Sequence, residues 1–305
     1  MKIGLFHGDS GPVDAQVEAA AAAERDGFDS CCYPQIFGAD ALTLVALAGR
    51  ETERIELGTA VIPVYPFHPF AFAQHVLSAQ AATNGRLTLG IGLSHQPVVE
   101  GMWGLSYEKP ARHMREFLAV LMPLLTEGKV QHQGEVFRVT GGIDVAGATT
   151  PKVLLAALAP VMLRLAGEQT DGTLTWMSGA KTIESHVAKR LNAAAERARR
   201  PKPRVVVALP VCVTDDAAAA RQVASQLFAI YGQLVNYRRM LDREGAEGPG
   251  DVAVVGTEAS VEEQLRALAA AGATDFLAAI YPSGDDAAKS RDRTRELMKG
   301  LVGEI

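Results

Sequence analysis

The sequence has few aromatic residues, few cysteines and no long apolar run. Aromatic residues make up 6% of the 305 residues and hydrophobic residues 48%, so the core must be mainly aliphatic. No stretch approaches the roughly 20 consecutive apolar residues of a membrane span. The three cysteines, Cys31, Cys32 and Cys212, lack C-x-x-C spacing, which favours free buried thiols and indicates no metal site. Because a strand-like apolar segment begins directly after Met1, a signal peptide has no room, and we expect a cytoplasmic protein.

Basic residues are not concentrated as nucleic acid or a membrane surface would require. The formal net charge is -5, and Lys and Arg are scattered. The densest basic stretch, 197–204, straddles two prolines where a helix should end, and positive charge there is typical of a solvated helix C-terminus. The expected partner is therefore a small-molecule substrate, with no nucleic acid and no membrane.

Eight short apolar runs alternate with longer Ala-rich stretches of helical character. Several runs are apolar on consecutive residues, as in parallel strands that are covered on both faces. The motif G-x-G-x-x-G is missing after the first run, where GDSGP stands, so an open dinucleotide-binding sheet loses its main support. The pattern favours an α/β fold, a (β/α)8 TIM barrel formed by residues 1–305 as a single domain. The predicted strands are 2–6, 28–33, 55–62, 87–93, 153–157, 173–177, 204–213 and 275–281.

Two segments are too long for simple crossovers and are predicted insertions after strands 4 and 7. The first, 96–147, contains a helix that begins at Pro110 and a predicted hairpin around 130–137. The second, 215–250, contains a helix and a Gly/Pro-rich end. Insertions on such barrels commonly cover the mouth, where the strands end. The second insertion is therefore interpreted as a lid, as a surface for homodimer formation, or as a solvent-exposed helix.

The stretch 57–92 carries the most specific pattern in the chain. It reads LGTAVIP, then HP at 68–69, then NGR and LGIG. This pattern strongly resembles the luciferase-like oxidoreductases over essentially the whole chain, and more narrowly their F420-dependent branch. The resemblance implies hydride transfer between the deazaflavin coenzyme F420 and a small organic substrate. Two alternatives stay open: an FMN-dependent monooxygenase of the same superfamily, and a non-catalytic flavin- or deazaflavin-binding protein.

The resemblance also implies which residues face the cofactor ring. In the family, strand three carries a bulge with a non-prolyl cis peptide against the central ring, which corresponds here to Ala60-Val61, directly after Thr59. The strand-four residues Leu93 and Ser94 correspond to positions across the ring. We therefore expect these five residues to bind the cofactor at the mouth of the barrel.

A second set of residues is implied to hold the cofactor phosphate. The family places the phosphate at the equivalents of Leu158-Ala159 and of Gly179-Ala180-Lys181. A helix that begins at Pro160 would direct unpaired N–H groups and the positive end of its dipole toward the mouth. Lys181 would add a point charge, although an ordinary surface lysine at a helix start is an equally good interpretation.

Three residues are candidates for catalysis. His95 follows strand four, at the position where the related glucose-6-phosphate enzymes keep a Glu, and histidine titrates near neutral pH. His7 follows strand one at the same end of the barrel. Gln35 stands where those enzymes carry an Asp-His pair, so sugar phosphate oxidation is not expected. Two interpretations of Gln35 stay open: its side chain hydrogen-bonds the ring or a substrate, or it satisfies backbone groups. His186, within a predicted helix, shows no converging partners.

Overall fold

The computed structural model describes residues 1–8 and 10–305, and Asp9 lies outside the described residues. Eight parallel strands surround an aliphatic core, and the sheet closes because the last strand pairs with both the first and the seventh. The predicted (β/α)8 barrel is confirmed. The barrel strands are β1 (Lys2–Phe6), β2 (Ser30–Tyr33), β3 (Glu56–Thr59), β4 (Leu87–Gly92), β5 (Lys152–Ala156), β6 (Gly172–Trp176), β7 (Arg204–Val213) and β8 (Asp275–Ile280).

Helices fill the crossovers between the strands. Several begin with proline in the first turn, where the missing N–H costs nothing and the fixed φ suits the helix. None of the helices in the described part of the chain is both long and apolar enough to cross a bilayer. The helices are Val13–Arg25, Ala41–Glu51, Pro69–Ala82, Gln96–Gly101, Pro110–Glu127, Pro160–Gln169, Ala180–Thr182, the π-helical Ile183–Ala188, Lys189–Arg197, Ala217–Leu227, Ala229–Gln233, Val235–Glu244, Pro249–Val252, Glu258–Ala270 and Ala287–Gly300.

The third strand differs from its prediction. The segment 55–62 is not one strand: β3 ends at Thr59, and pairing resumes at Ile62–Pro63, where Ile62 lies opposite Ile91 of β4. Between the two pieces the Ala60-Val61 peptide is cis, as the family resemblance predicted. The chain therefore bulges at the C-terminal end of β3, on the face of the barrel that carries active sites in this fold.

The first predicted insertion contains the expected hairpin, with longer strands than predicted. Lys129–Gln133 pairs antiparallel with Arg138–Gly142. The Glu116 carboxylate, on the helix Pro110–Glu127, accepts hydrogen bonds from the backbone N–H groups of Val136 at 2.7 Å and Phe137 at 3.0 Å. These bonds fix the hairpin turn to the helix, and they hold the pKa of Glu116 below its usual value.

The N-terminal end of the barrel, opposite the end that carries the bulge, is closed by an ion-pair cluster. Arg204 at the start of β7 lies 2.5 Å from the Asp275 carboxylate and 2.9 Å from that of Glu56. These carboxylates come from β8 and β3, so one guanidinium joins three strands at the N-terminal end of the barrel. Paired charges at this end contribute to stability rather than to catalysis.

Candidate active site

A floor of small residues forms at the mouth where β3, β4 and β5 end. The Thr59 hydroxyl donates to the Gly90 carbonyl at 2.8 Å and accepts from the Gly90 N–H at 2.9 Å. A Cβ at position 90 would lie 2.1 Å from the Thr59 carbonyl oxygen, and one at position 92 would lie 2.9 Å from the Val61 side chain and 3.3 Å from Ala156. The two glycines of LGIG are therefore needed for the bulge to pack against β4.

The bulged peptide is also joined to β2. The Ala60 N–H donates to the Tyr33 carbonyl at 2.8 Å, and the Ala60 side chain is buried. Val61 is half-buried and packs over the two glycines. Small side chains therefore stand at the ends of three adjacent strands.

His95 lies beside this floor, directly after β4. Ser94 adopts a left-handed conformation, with φ of 61°, and its carbonyl accepts a hydrogen bond from the Tyr107 hydroxyl at 3.2 Å. The His95 ring is half-buried, and its centroid lies 5.6 Å from that of Tyr237. Burial lowers the pKa of His95 from its usual 6.5, so the imidazole is neutral at neutral pH. Leu93 is half-buried and packs against the core.

The two other candidates for catalysis have structural contacts. His7 is half-buried, its ring packs edge-on against Tyr33, and burial is the main cause that lowers its pKa. The Gln35 side-chain oxygen accepts a hydrogen bond from the Ala41 N–H at 3.1 Å, at the start of the helix Ala41–Glu51. This bond satisfies one backbone group, and a contact of Gln35 with the ring or substrate stays a prediction.

The insertion after β7 covers the mouth with aromatic side chains. Phe6 and Trp176, at the ends of β1 and β6, stack with centroids 5.2 Å apart. Tyr231 packs edge-on against Trp176 and against Tyr237, which in turn contacts His95. The buried Trp176 Nε1 has no hydrogen-bond partner within the described residues, so it is a free donor at the mouth. These contacts connect the insertion to the ends of β4 and β6.

The first predicted phosphate site is an open helix start. Ala159 precedes the helix Pro160–Gln169 and makes no side-chain capping hydrogen bond, which leaves the first-turn N–H groups without an intrahelical partner. The Leu158 carbonyl lies 2.7 Å from Nε2 of His186. Leu158 and Ala159 line a cleft of about 520 Å³ that also includes Arg239 and Arg243.

The second predicted phosphate site is occupied by the chain itself. The Glu244 carboxylate accepts from the N–H groups of Lys181 at 3.2 Å and Thr182 at 2.9 Å, and from the Thr182 hydroxyl at 2.6 Å. A Cβ at Gly179 would lie 2.5 Å from a Glu244 oxygen, so glycine there admits this carboxylate. The Glu244 carboxylate therefore occupies the helix start of Gly179, Ala180 and Lys181 in this structure, and their contact with a phosphate stays a prediction.

Several residues of the site were not expected from the sequence. His186 is 1% exposed and contacts the predicted phosphate loop, whereas it was expected to lack partners. Tyr237 and Glu244 lie on the second insertion, far along the chain from His95 and from the helix start at Ala180 that they respectively contact. The spacing of Arg239 and Arg243, four residues apart on one helix, was the signal that could have identified a cationic face.

Residues 1–298 match the luciferase-like monooxygenase family. This chain belongs to that family. It is therefore an oxidoreductase, and the prediction made from the stretch 57–92 is confirmed. It is 30% identical over 250 residues to a putative coenzyme F420-dependent oxidoreductase of Mycobacterium tuberculosis, covering 76% of this chain and 72% of that protein.

Solved structures share the fold. The F420-dependent tetrahydromethanopterin reductase of Methanopyrus kandleri superposes with a TM-score of 0.80 at 20% identity, covering 100% of this chain and 98% of that one. The oxygenating constituent of 3,6-diketocamphane monooxygenase of Pseudomonas putida, in complex with FMN, superposes with a TM-score of 0.76 at 18% identity, covering 100% and 97%. At these identities the likeness establishes the barrel and not the cofactor.

Proposed function

We propose that this chain transfers a hydride between coenzyme F420 and a small organic substrate bound in the mouth of the barrel. The relative from Mycobacterium tuberculosis, a putative coenzyme F420-dependent oxidoreductase, supports the choice of cofactor.

One observation carries this proposal: the floor and the open helix start are continuous. Ala156 at the end of β5 borders the floor beside Gly92, and Leu158-Ala159 begins the cleft two residues later. Two residues of extended chain span about 7 Å. A ligand with a flat ring system at one end and a phosphate-bearing arm at the other therefore matches the arrangement along β5.

The residues present fit F420. The orphaned Trp176 Nε1 offers a donor, and the helix start at Pro160 offers N–H groups to a phosphate. When bound, F420 supplies or accepts the hydride as a two-electron carrier. The chain binds and orients the ring, excludes water beneath the aromatic insertion, and moves a proton.

We assign the proton to Nδ1 or Nε2 of His95. The neutral imidazole accepts a proton from a substrate hydroxyl in the oxidative direction, and the imidazolium returns it in the reductive direction. His7 at the end of β1 is the second candidate. Gln35 has a neutral amide, so its expected contribution is to position the loop after β2 and not to exchange a proton.

FMN is the alternative cofactor, because it too has a flat ring and a phosphate arm. The test is to incubate the purified protein with reduced F420 under anaerobic conditions against a panel of ketones, enones and imines, and with oxidised F420 against alcohols. Cofactor turnover with one substrate class and no oxygen uptake with reduced FMN would support the proposal. Oxygen consumption with reduced FMN, without any F420 turnover, would assign the chain to the monooxygenases. Tight F420 binding without turnover of any compound would instead support a carrier protein.

A further inference from the structure

The residue before His95 has a backbone conformation that is uncommon outside glycine. Ser94 has a φ of 61°, in the left-handed region, and a residue with a side chain stays there only where its surroundings enforce it. The turn at Ser94 sets the direction in which the chain leaves β4, and with it the place of the His95 side chain. A group that holds Ser94 in this conformation therefore also sets the position of the imidazole.

The Tyr107 hydroxyl is such a group. It donates a hydrogen bond to the Ser94 carbonyl at 3.2 Å, although the two residues lie 13 positions apart in the sequence. Burial raises the pKa of Tyr107, so the hydroxyl stays protonated and can donate throughout the neutral range. The bond joins the first insertion to the end of β4 at the residue that precedes His95.

The backbone of Tyr107 is fixed to the helix that His95 begins. The Tyr107 N–H donates to one oxygen of the Glu100 carboxylate at 3.2 Å, and the other oxygen accepts from the Gln96 amide at 2.8 Å. Glu100 and Gln96 both lie on the helix Gln96–Gly101, whose N-cap is His95. The loop that carries Tyr107 therefore folds back over this helix and brings its hydroxyl to the residue before the N-cap.

A row of aromatic rings supports the Tyr107 ring. Its centroid lies 5.4 Å from that of Tyr65, and the Tyr65 ring stacks on that of His113 with centroids 4.1 Å apart. His113 lies in the first turn of the helix Pro110–Glu127, so the row joins Tyr107 to a second helix. The Tyr65 hydroxyl differs from that of Tyr107, because it is buried and has no hydrogen-bond partner within the described residues. Two neighbouring tyrosines thus share the same packing, and one of them bonds to Ser94.

We propose that Tyr107 is a positioning residue for hydride transfer: its hydroxyl holds the Ser94 carbonyl and thereby keeps the His95 imidazole at the mouth of the barrel. This inference rests on the proposed role of His95. Without the bond, Ser94 is free to return to an ordinary extended conformation, and the imidazole leaves its place beside Tyr237. Because Tyr107 acts through His95 and not on the substrate, its hydroxyl contributes to kcat and not to binding.

The first test is the kinetics of Tyr107→Phe, which removes the hydroxyl and keeps the ring. With F420 and a turned-over substrate, kcat should fall by about tenfold, the order expected when one hydrogen bond is lost, whereas KM and the cofactor Kd should change little. Tyr65→Phe is the matched control, because it removes a hydroxyl without a partner from the adjacent ring, and it should keep the full kcat. The double variant with Tyr107→Phe and His95→Gln should have the kcat of His95→Gln alone, since a residue that acts only through His95 has no further effect once that side chain is absent.

A second readout needs neither cofactor nor substrate. In protein with isotope-labelled histidine, the NMR signal of His95 is identified by its loss in His95→Gln, and its titration reports the pKa of the imidazole. Burial lowers this pKa from 6.5, so release of the ring in Tyr107→Phe should move the pKa back toward 6.5. Tyr65→Phe should leave the pKa of His95 unchanged. Thermal denaturation of each variant verifies the fold.

The outcomes separate this inference from the proposed function. An unchanged kcat or an unchanged pKa of His95 in Tyr107→Phe would overturn the inference and leave the proposed function standing. A further loss of kcat in the double variant, or an equal loss in Tyr65→Phe, would do the same, because the hydroxyl of Tyr107 would then not act through His95. Absence of F420 turnover with every substrate in the unmodified protein would overturn the proposed function, and this inference with it.

Discussion

Replacement of His95 by Gln or Ala is expected to remove proton transfer while it leaves the fold in place. The helix Gln96–Gly101 begins with the His95 backbone carbonyl, which accepts from the N–H groups of Val98 at 3.0 Å and Val99 at 2.9 Å. The side chain makes no capping hydrogen bond, and its recorded ring contact is with Tyr237. The backbone contacts survive either substitution.

The expected effects on activity and on stability differ in size. A positioned general base contributes about 10²–10⁴-fold, which corresponds to about 2.7–5.5 kcal/mol of activation free energy. Loss of one aromatic contact costs about 0.5–1.5 kcal/mol of folding free energy. The variants should therefore lose kcat far more than they lose stability or cofactor affinity.

The pH profile provides an independent readout. Burial lowers the pKa of His95 below 6.5, and the deprotonated ring is the base in the oxidative direction. In the unmodified protein, the oxidation rate should fall only as the pH drops through that lowered pKa, and His95→Gln should lack this limb. The measurements are kcat and KM against pH, the cofactor Kd, and the Tm. His75→Gln, on an exposed position of the helix Pro69–Ala82, is the matched control. Full kcat in His95→Ala would refute the assignment and leave His7 as the candidate.

Three further substitutions test separate parts of the account. Ala159→Glu should abolish cofactor binding in titrations, because a carboxylate at this helix start repels a phosphate. It should not lower the Tm, because a carboxylate stabilises a helix start. The control Ala287→Glu, at an exposed helix start, should leave the cofactor affinity unchanged. Gly90→Ala should lower the free energy of unfolding by about 1–3 kcal/mol in denaturant titrations, since its Cβ would meet the Thr59 carbonyl. In the control Gly101→Ala the added Cβ meets no atom within 4 Å, so the free energy of unfolding should change little. Arg204→Gln should lower the free energy of unfolding by about 3 kcal/mol in the same assay, because it leaves two carboxylates at the N-terminal end of the barrel without their partner. An unchanged unfolding midpoint would contradict that role.

Much of the barrel could be predicted because its strands are buried apolar runs. The predictions for β1 and β7, 2–6 and 204–213, coincide with the observed strands, since the strand ends there are marked by a sharp change in hydrophobicity. The run 55–62 gives no such mark at Thr59, because the residues of the bulge are as apolar as those of the strand. The bulge was therefore predicted from the family resemblance and not from the pattern of the run.

The parts of the site that could not be predicted depend on contacts between distant residues. Glu244 caps a helix start 62 residues earlier in the chain, and no local pattern at Thr182 indicates which acidic residue will fill it. His186 lies 28 residues from the Leu158 carbonyl that it contacts. The phosphate site at Leu158-Ala159 was implied by the family resemblance, and the proline after small residues marks the helix start there. Its role in binding stays a prediction.

The most direct test of the central claim is a side-by-side equilibrium titration of the purified protein with F420 and with FMN. The account predicts that F420 binds with a Kd of about 1 μM or less, a binding free energy of about -8 kcal/mol, and that FMN binds at least about tenfold more weakly. Tighter binding of FMN than of F420 would contradict the account.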